Sequence, residues 1–540
     1  MPKSDTIMNI PYSVAELQKN HVLFELEGID RLYLNAYVPK LTNEAGVASY
    51  FRYHLGHRFA STKQAVHITA GFIAAIRKFI KDNDIPLVRF KKGQRKDDVF
   101  KKHLRSFDRK EGVVFVGVAQ EKNRVPRTVR KSFGEGGTIP WIDYTTAMVN
   151  VYYFYCLDED FGPFFLKFCS YFPYPAKLCL NGHEYLKCQL SKRGIGFEAL
   201  DNGLLSCEDL AAARRICDGL SASKIDRFFR KWLRNLPHPY CAKDRKAGYR
   251  YKLSILQAEF SLTQVWNRGL NGRRFFEEVI RENIDLGRPE QVQLIFARKV
   301  RRKTAADGRF RTRIITEGVV PSLHVYYKNT HLKQYHKEGR ALRTETTIND
   351  TYDFNVGRLI KNLPALRKIG FAANRRVLEV EKLSHDCNVG IEAFEKMQQR
   401  VEVDGQNASA LRFGDARVQA LLATVMLFCL QPRGFTNKEL RPLLAQYLGK
   451  SIEEITPGKM TYDLRRMRLH GLIERKAGTQ RYQLTSRGLK TALFYSRTYN
   501  RVLRPGMSIV ADDKNPSKLR RAYHTFENEL ERYFSAQRAA

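Results

Sequence analysis

The chain has 540 residues, 43% of them hydrophobic, enough for about three packed domains, and it is not the composition of a disordered chain. Lys and Arg number 93 against 56 Asp and Glu, a formal net charge of +37. Charge of that size works against a compact state, and binding nucleic acid both relieves it and gains affinity from released counterions, so a polyanionic partner is expected, nucleic acid ahead of an acidic membrane surface.

Residues 1–135 read as an α/β domain. A strand is expected at Arg31–Val38 and a helix at Thr62–Lys81. A strand at Ile85–Phe90, a helix at Lys96–Arg105 and a strand at Gly112–Ala119 then follow. That last order is a βαβ unit, which favours a parallel strand pair. Residues 136–287 read as a helical, aromatic-rich region. Within it Ser221 caps a helix that buries Ile225, Phe228, Phe229 and Trp232 and turns Lys224, Arg227, Arg230, Lys231 and Arg234 outward.

Residues 288–354 read as an antiparallel β meander. Its strands are expected at Gln291–Val300, Arg309–Thr316, Ser322–Tyr327, His331–His336 and Ala341–Ile348, with a turn at Asp307-Gly308. Residues 355–412 form a helical connector, with Glu402–Asn407 as a linker. Residues 413–505 form a compact unit and 506–540 a charged tail. The expected fold class is multi-domain α/β plus α+β.

The compact unit has the order helix, helix, helix, hairpin. Asp415 caps the first helix, and Val418, Leu421, Leu422 and Val425 follow helical spacing. Thr436 and Glu439 form a capping box for the second. The third runs from about Pro457 to His470, stopped by Gly471. Met460, Leu464 and Met467 give it a buried stripe, and Lys459, Tyr462, Arg465 and Arg466 lie on the opposite arc with Arg468 beside them. A helix that reads a DNA groove needs that division. Two strands around Ala477-Gly478-Thr479 place Lys476 and Arg481 for phosphate contact. The segment MTYDLRRMRLHGLIERKAGTQRYQLTSRG resembles the winged-helix superfamily. That resemblance implies binding of duplex DNA, although some members bind RNA or only other proteins.

The meander offers a second basic surface. Alternate strand residues share a face, so Arg309, Arg311 and Arg313 line one side, as do Lys333 with Tyr335 and Arg343 with Glu345. Such a face can track phosphates and stack bases, or can be a solvated face laced by ion pairs. The stretch LKQYHKEGRALRTETTIND is similar to a hairpin of phage and plasmid replication initiators, in which a Tyr-x-Lys strand precedes an Arg-x-Glu strand. The His-x-His metal motif usual in rolling-circle initiators is absent from the sequence. The blocks KGQRKDD and GPFFLKFCSYFPYPAKLCLNGHEYLK are similar to an uncharacterised group of bacterial proteins.

Catalytic residues are sought beyond the carboxyl ends of the βαβ strands. Asp97, Asp98, Glu121 and Lys122 fall there. Asp98 and Glu121 could hold Mg²⁺, and a neighbouring Lys could orient a water or a phosphate for phosphodiester cleavage. The alternative is a pair of solvated, charged loops. Asp158, Glu159 and Asp160 are a further candidate metal loop, and Cys179, His183, Cys188 and Cys207 a candidate zinc set, with irregular spacing that favours buried thiols. No P-loop, Gly-x-Ser-x-Gly or His-Glu-x-x-His motif is present.

The most apolar run, Ala420 to Leu430, falls short of the about 20 residues of a membrane span. No apolar core marks the opening MPKSDTIMNIPYSVAEL, and the 9 cysteines include no CxxC pair, so a cytoplasmic protein with reduced thiols and no membrane partner is expected. The leading expectation is a DNA-binding protein of DNA processing or mobile-element replication. The alternatives are an Mg²⁺-dependent nuclease and a non-catalytic RNA-binding component of a ribonucleoprotein.

Overall fold

A computed structural model describes residues 14–91, 93–132, 137–286, 310–315, 322–337, 339–385, 389–427 and 433–503, with 521, 522, 525, 526, 528, 529 and 532 near the end. The fold is mixed α/β. Seventeen strands follow in chain order among the described residues. They are β1 (Val22–Tyr37), β2 (Leu87–Arg89), β3 (Gly112–Ser132), β4 (Thr138–Asp158), β5 (Gly162–Cys169) and β6 (Ala176–Asn181), then β7 (Phe197–Leu200), β8 (Gly203–Cys207) and β9 (Lys252–Trp266). The remainder are β10 (Phe310–Ile315), β11 (Ser322–Tyr327), β12 (Thr330–Lys337), β13 (Ala341–Ile348), β14 (Val401–Val403), β15 (Gln406–Ala408), β16 (Ile473–Arg475) and β17 (Tyr482–Leu484). Eleven of them form one sheet in the order β10-β11-β12-β13-β9-β1-β6-β5-β4-β3-β2.

The helices that matter for the site are α1 (Ala65–Asp82), α2 (Lys96–Arg105), α3 (Gly182–Lys192), α4 (Ala222–Asn235), α5 (Gly269–Leu286) and α6 (Leu363–His385). After them come α7 (Ala416–Met426), α8 (Asn437–Tyr447), α9 (Pro457–Leu469) and α10 (Ser486–Arg497). The βαβ unit forms as its pattern requires: β2 and β3 pair in parallel, with α2 between them. The other strand pairs of the large sheet are antiparallel.

The middle of the chain differs from the expected helical region, because β4, β5, β6 and β9 all lie within it. From Val151 to Cys156 every residue of β4 is buried. A strand buried on both faces loses its alternation, and a continuous apolar run then looks the same as a buried helix. The expected boundary at 135/136 falls within the β3–β4 hairpin, and β9 pairs with β13 of the meander, so one sheet crosses three of the expected regions.

One core packs β1, β4, β5 and β6 against α1, α3 and α4. Ser221 caps α4 by accepting from the Lys224 amide, and Ile225, Phe228, Phe229 and Trp232 are buried as their spacing predicts. Asp158 is not a metal loop residue: it is buried and accepts from Lys231 Nζ and Trp232 Nε1, both at 2.8 Å. A second core packs α5 and α6 on β9, β12 and β13. Strands β10–β13 follow each other antiparallel, as the meander predicts. Its expected first strand and the Arg298–Lys303 cluster lie outside the described residues, as does Arg309.

A third core belongs to α7, α8, α9, β16, β17 and α10. Asp415 caps α7, and Thr436 with Glu439 closes the capping box of α8. Phe435 bridges to Tyr482, adding a short third strand to the β16–β17 hairpin. Gly434 at φ 67° makes the turn into that bridge, where a Cβ would strike the Tyr482 carbonyl. The segment expected to be a linker is instead the tight hairpin β14–β15. Asp404 and Gly405 both have positive φ, at 50° and 69°, the backbone that an Asp-Gly turn between two short strands requires. No described helix is long and apolar enough to cross a membrane.

His238 is packed against Tyr240 and Tyr251, and burial followed by the Arg245 charge holds it down at about 4. The folded protein therefore refuses a proton that the unfolded chain takes near pH 6.5. Stability is expected to fall as pH drops from about 6.5 to about 4, and His238→Gln to flatten that part of the profile in thermal melts.

Candidate functional site: a charged cleft on the central strands and a basic helix

Arg343 on β13 is fully buried. Its Nη2 donates to Asp30 Oδ2 at 2.7 Å and lies 3.0 Å from His183 Nε2. Its Nε donates to Glu345 Oε1 at 2.7 Å, and its Nη1 to Thr263 Oγ1 at 3.0 Å and to the Asn202 carbonyl. Each arm of the guanidinium is thus satisfied, the condition under which a buried arginine is tolerable. The expectation that Arg343 contacts nucleic acid is corrected: it has no exposed surface.

Around it the sheet register gathers acids from three strands. Arg31 on β1 lies opposite Glu259 on β9, Glu259 lies opposite Thr347 on β13, and Glu345 lies opposite Ser261. Asp30, Glu259 and Glu345 each offer a carboxylate oxygen within 4.8 Å of the others. Tyr335 on β12 donates its hydroxyl to Glu345 Oε1 at 2.8 Å. Burial pushes Asp30 up, but the Arg343 and His183 charges outweigh it and hold the group down. Glu259 is pushed up by burial and then by the charges of Asp30 and Glu345. Glu345 is pushed up by burial too, with Asp30 adding to it against Arg343. Asp30 also accepts from Asn202 Nδ2 and Glu259 is paired with Arg31 at 4.0 Å, so three acids face two guanidinium groups and keep a net negative charge on oxygen donors. That set fits a hard cation such as Mg²⁺.

This is not the set expected from the βαβ loops. Glu121 on β3 accepts from Lys167 Nζ at 2.7 Å, from Lys96 Nζ at 3.3 Å and from the Tyr153 hydroxyl. Burial pushes Glu121 up, but the bonds from Lys167 and Tyr153 outweigh it and hold it at about 2. Burial lowers Lys167 to about 8 against the pull of Glu121. With both oxygens engaged by lysines, Glu121 forms an ion-pair cluster rather than a metal site with Asp98. Asp97 and Asp98 occupy the first turn of α2, where the helix dipole favours acids, and both are exposed. Lys122 is exposed and, one residue along the strand, faces away from Glu121. Asp97 lies near enough to act on Arg31, which burial pushes down and the charges of Cys179, Glu259, Asp30 and lastly Asp97 push up. Cys179, His183, Cys188 and Cys207 do not form a zinc set: among the described residues the group able to hold a metal is Asp30, Glu259 and Glu345.

The sequence names Tyr335, Arg343 and Glu345 as surface residues and His183 as a zinc candidate, and it does not single out Asp30 or Glu259. Asp30 is one of three acids in β1, with Glu25 and Glu27, and it is the one that the fold buries.

In the C-terminal unit, Lys459, Tyr462 and Arg468 on α9 are exposed. Arg466 is not: it is buried and its Nε donates to the Ser409 carbonyl at 3.1 Å. The β14–β15 hairpin and the residue after it lie along the C-terminal half of α9. There Arg465 Nη1 donates to the Asn407 carbonyl at 3.1 Å, Arg468 Nη2 to Gln406 Oε1 at 3.3 Å, and the Tyr462 hydroxyl meets Ser409 Oγ at 3.0 Å. Arg481 is also turned inward, donating to the Arg433 and Gly434 carbonyls at 3.1 and 2.9 Å and pairing with Glu439 Oε2 at 3.0 Å. It ties β17 to the start of α8 rather than reaching a phosphate. Lys476 is half-buried, and burial lowers it. On the meander Lys333 lies over the Tyr335 ring at 4.0 Å, while register sets Arg311 opposite Tyr326 and Arg313 opposite His324.

No known protein family matches the chain, and no curated protein does. A solved structure of a rolling circle replication initiator protein from Geobacillus stearothermophilus matches at 9% identity, covering 71% of this chain and 89% of that one, with a TM-score of 0.18. Similarity at that level assigns neither fold nor function.

Arg343→Ala is expected to destabilise the protein by about 3–5 kcal/mol in denaturant titration, because it strands Asp30 and Glu345 as buried acids without a partner. An Arg343 whose removal costs no more than a surface change would show that the acids find another cation.

Proposed function

We propose that this protein binds duplex DNA through a C-terminal winged helix and acts in DNA processing or mobile-element replication. The observation that carries this reading is α9. It is held to its unit by Met460, Leu464 and Met467 and carries Lys459, Tyr462 and Arg468 on its exposed side, the last two touching the β14–β15 hairpin and the residue after it. A helix N-terminal half presenting donors to a groove is how such units read duplex DNA. Net charge of +37 supplies the phosphate attraction. Replacing Lys459 and Arg468 together by Ala is expected to weaken duplex binding about tenfold and to lower the salt slope by about one for each phosphate no longer neutralised, read by fluorescence anisotropy across a salt series. Duplex affinity unchanged by both substitutions would rule out α9.

A second reading is favoured by the convergence of Asp30, Glu259 and Glu345 beside Tyr335. It is divalent-cation-dependent cleavage of a DNA strand, at a place other than the βαβ loops. The three carboxylates would hold Mg²⁺, which supplies charge stabilisation at the phosphate. Glu345 is within hydrogen-bond reach of the Tyr335 hydroxyl and can take its proton as the phenolic oxygen attacks phosphorus. One P–O ester bond forms on Tyr335, the scissile P–O bond breaks, and the departing sugar oxygen takes up a proton. Burial, followed by the Glu345 charge, raises Tyr335 far above its ordinary value, so the hydroxyl needs that base. With labelled single-stranded and duplex DNA in Mg²⁺, Tyr335→Phe and Glu259→Gln are expected to reduce cleavage at least 100-fold. Glu121→Gln is expected to leave it unchanged. Equal cleavage by the wild type and Glu259→Gln would place the chemistry elsewhere.

A further inference from the structure

We infer that the face of the large sheet carrying Arg31, Tyr33, Lys333 and Tyr335 is a track for a single-stranded polynucleotide. The proposal deepens the DNA-processing reading by placing a strand on the cleft. Its binding test stands apart from cleavage and from duplex binding.

Register puts these side chains on one face. Directly opposed residues of neighbouring strands point the same way. Lys333 faces Glu345, Tyr335 faces Arg343 and Arg343 faces Thr263. Arg31 faces Glu259 on one side and Asn181 on the other, Tyr33 faces Cys179, and Lys177 faces Lys167. From β12 through β13, β9, β1 and β6 to β5 the row crosses six strands, about 24 Å at the usual strand spacing. Its centre is covered, so contact is made on the two flanks and not along one unbroken row.

The opposite face of β9, β12 and β13 is filled by α5 and α6, which pack on Leu262, Leu332 and Leu342. The track face is covered at its centre, where His183 and Asn202 close over Arg343. On either side of that plug the face is open enough for contact. The Arg31 side chain is 57% exposed and meets Glu259 only at 4.0 Å. Tyr33, Lys177, Lys333 and Tyr335 are each partly exposed.

Chemistry points to a polynucleotide rather than an isolated anion. Each tyrosine is accompanied by lysine. Lys333 Nζ is 4.0 Å from the Tyr335 ring centre and Lys177 Nζ is 5.5 Å from that of Tyr33, while Lys167 is buried and committed to Glu121. A flat ring beside a flexible cation pairs a stacking platform for a base with a partner for its phosphate, and the pair recurs on both sides of the plug. A duplex would hide its base faces from these rings, so the fit is to unpaired bases.

The test measures anisotropy of labelled dT20, labelled U20 and a mixed-sequence duplex on the full chain, without divalent cations. Tyr33→Ala and Arg31→Ala are each expected to weaken single-strand binding about tenfold, while Tyr33→Phe retains it and duplex affinity stays as in the wild type. The variant with Lys459 and Arg468 replaced by Ala is expected to show the reverse, weakening on duplex and keeping single strands. Tighter binding of dT20 or of U20 names the sugar and supports the track alike. Single-strand affinity unchanged in Tyr33→Ala and Arg31→Ala overturns the proposal, as does equal weakening by Tyr33→Ala and Tyr33→Phe. Single-strand and duplex binding that weaken in parallel, in variants whose melting is that of the wild type, also overturn it.

Discussion

The buried guanidinium of Arg343 is the contact on which the centre of the molecule depends. Strand β13 comes from the meander, Asp30 from β1, Thr263 from β9, His183 from α3 and Asn202 from the turn between β7 and β8. These segments are far apart in sequence, and backbone pairing alone joins only the strands. Arg343 adds the helix and the turn to them through directional bonds. A buried charge adds little net stability compared with a well-packed apolar group, but it allows few alternative arrangements of its partners. The same residue sets the electrostatics of the cleft. It holds Asp30 down, while Glu259, which lies beyond its direct contacts, is pushed up by its acidic neighbours.

Coupling between the cleft and the C-terminal unit runs through α6. Its Asn374 bonds Thr346 and the Phe260 carbonyl on the sheet, and further along Arg376 donates to the Leu484 carbonyl of β17 while Glu379 accepts from Ser486. One helix therefore packs on the strands that carry the carboxylates and on the hairpin beside α9. Within the unit, the β14–β15 hairpin uses backbone carbonyls to engage arginines on α9. Side-chain to backbone bonds at such a surface are worth about 0.5–1.5 kcal/mol each, comparable to what a phosphate contact offers in exchange. The basic residues of α9 are thus divided: Lys459 at the start makes none of these contacts, Arg465 and Arg468 near the end bond the hairpin, and Arg466 is buried against the Ser409 carbonyl.

Local rules were legible in the sequence wherever one face of an element meets solvent. The caps at Asp415, Thr436 and Ser221 formed on the residues that named them. So did the parallel pair β2 and β3 and the order of β10 to β13. Legibility failed where both faces are buried. Val151 to Cys156 carries no period, and the aromatic richness that suggested helices reflects strands filled on both sides. It fails also at Glu402–Asn407, where a polar stretch with a glycine suits a linker and a tight hairpin equally well.

The functional residues were harder to read for a topological reason. A search beyond the carboxyl ends of parallel strands suits a parallel sheet, where the ligand site sits at one edge. Here the sheet has one parallel pair and is otherwise antiparallel, and its charged centre lies on a face. The acids meet there because of register between strands whose acids, residues 30, 259 and 345, are far apart along the chain, which no local spacing encodes. Glu121 drew attention as an acid beside a lysine, and the same neighbourhood is what disqualifies it: Lys167 and Lys96 already neutralise it. Asp30 and Glu345 share one buried guanidinium and Glu259 meets Arg31 only at 4.0 Å, so three carboxylates gather around two cations, unlike an ordinary ion pair.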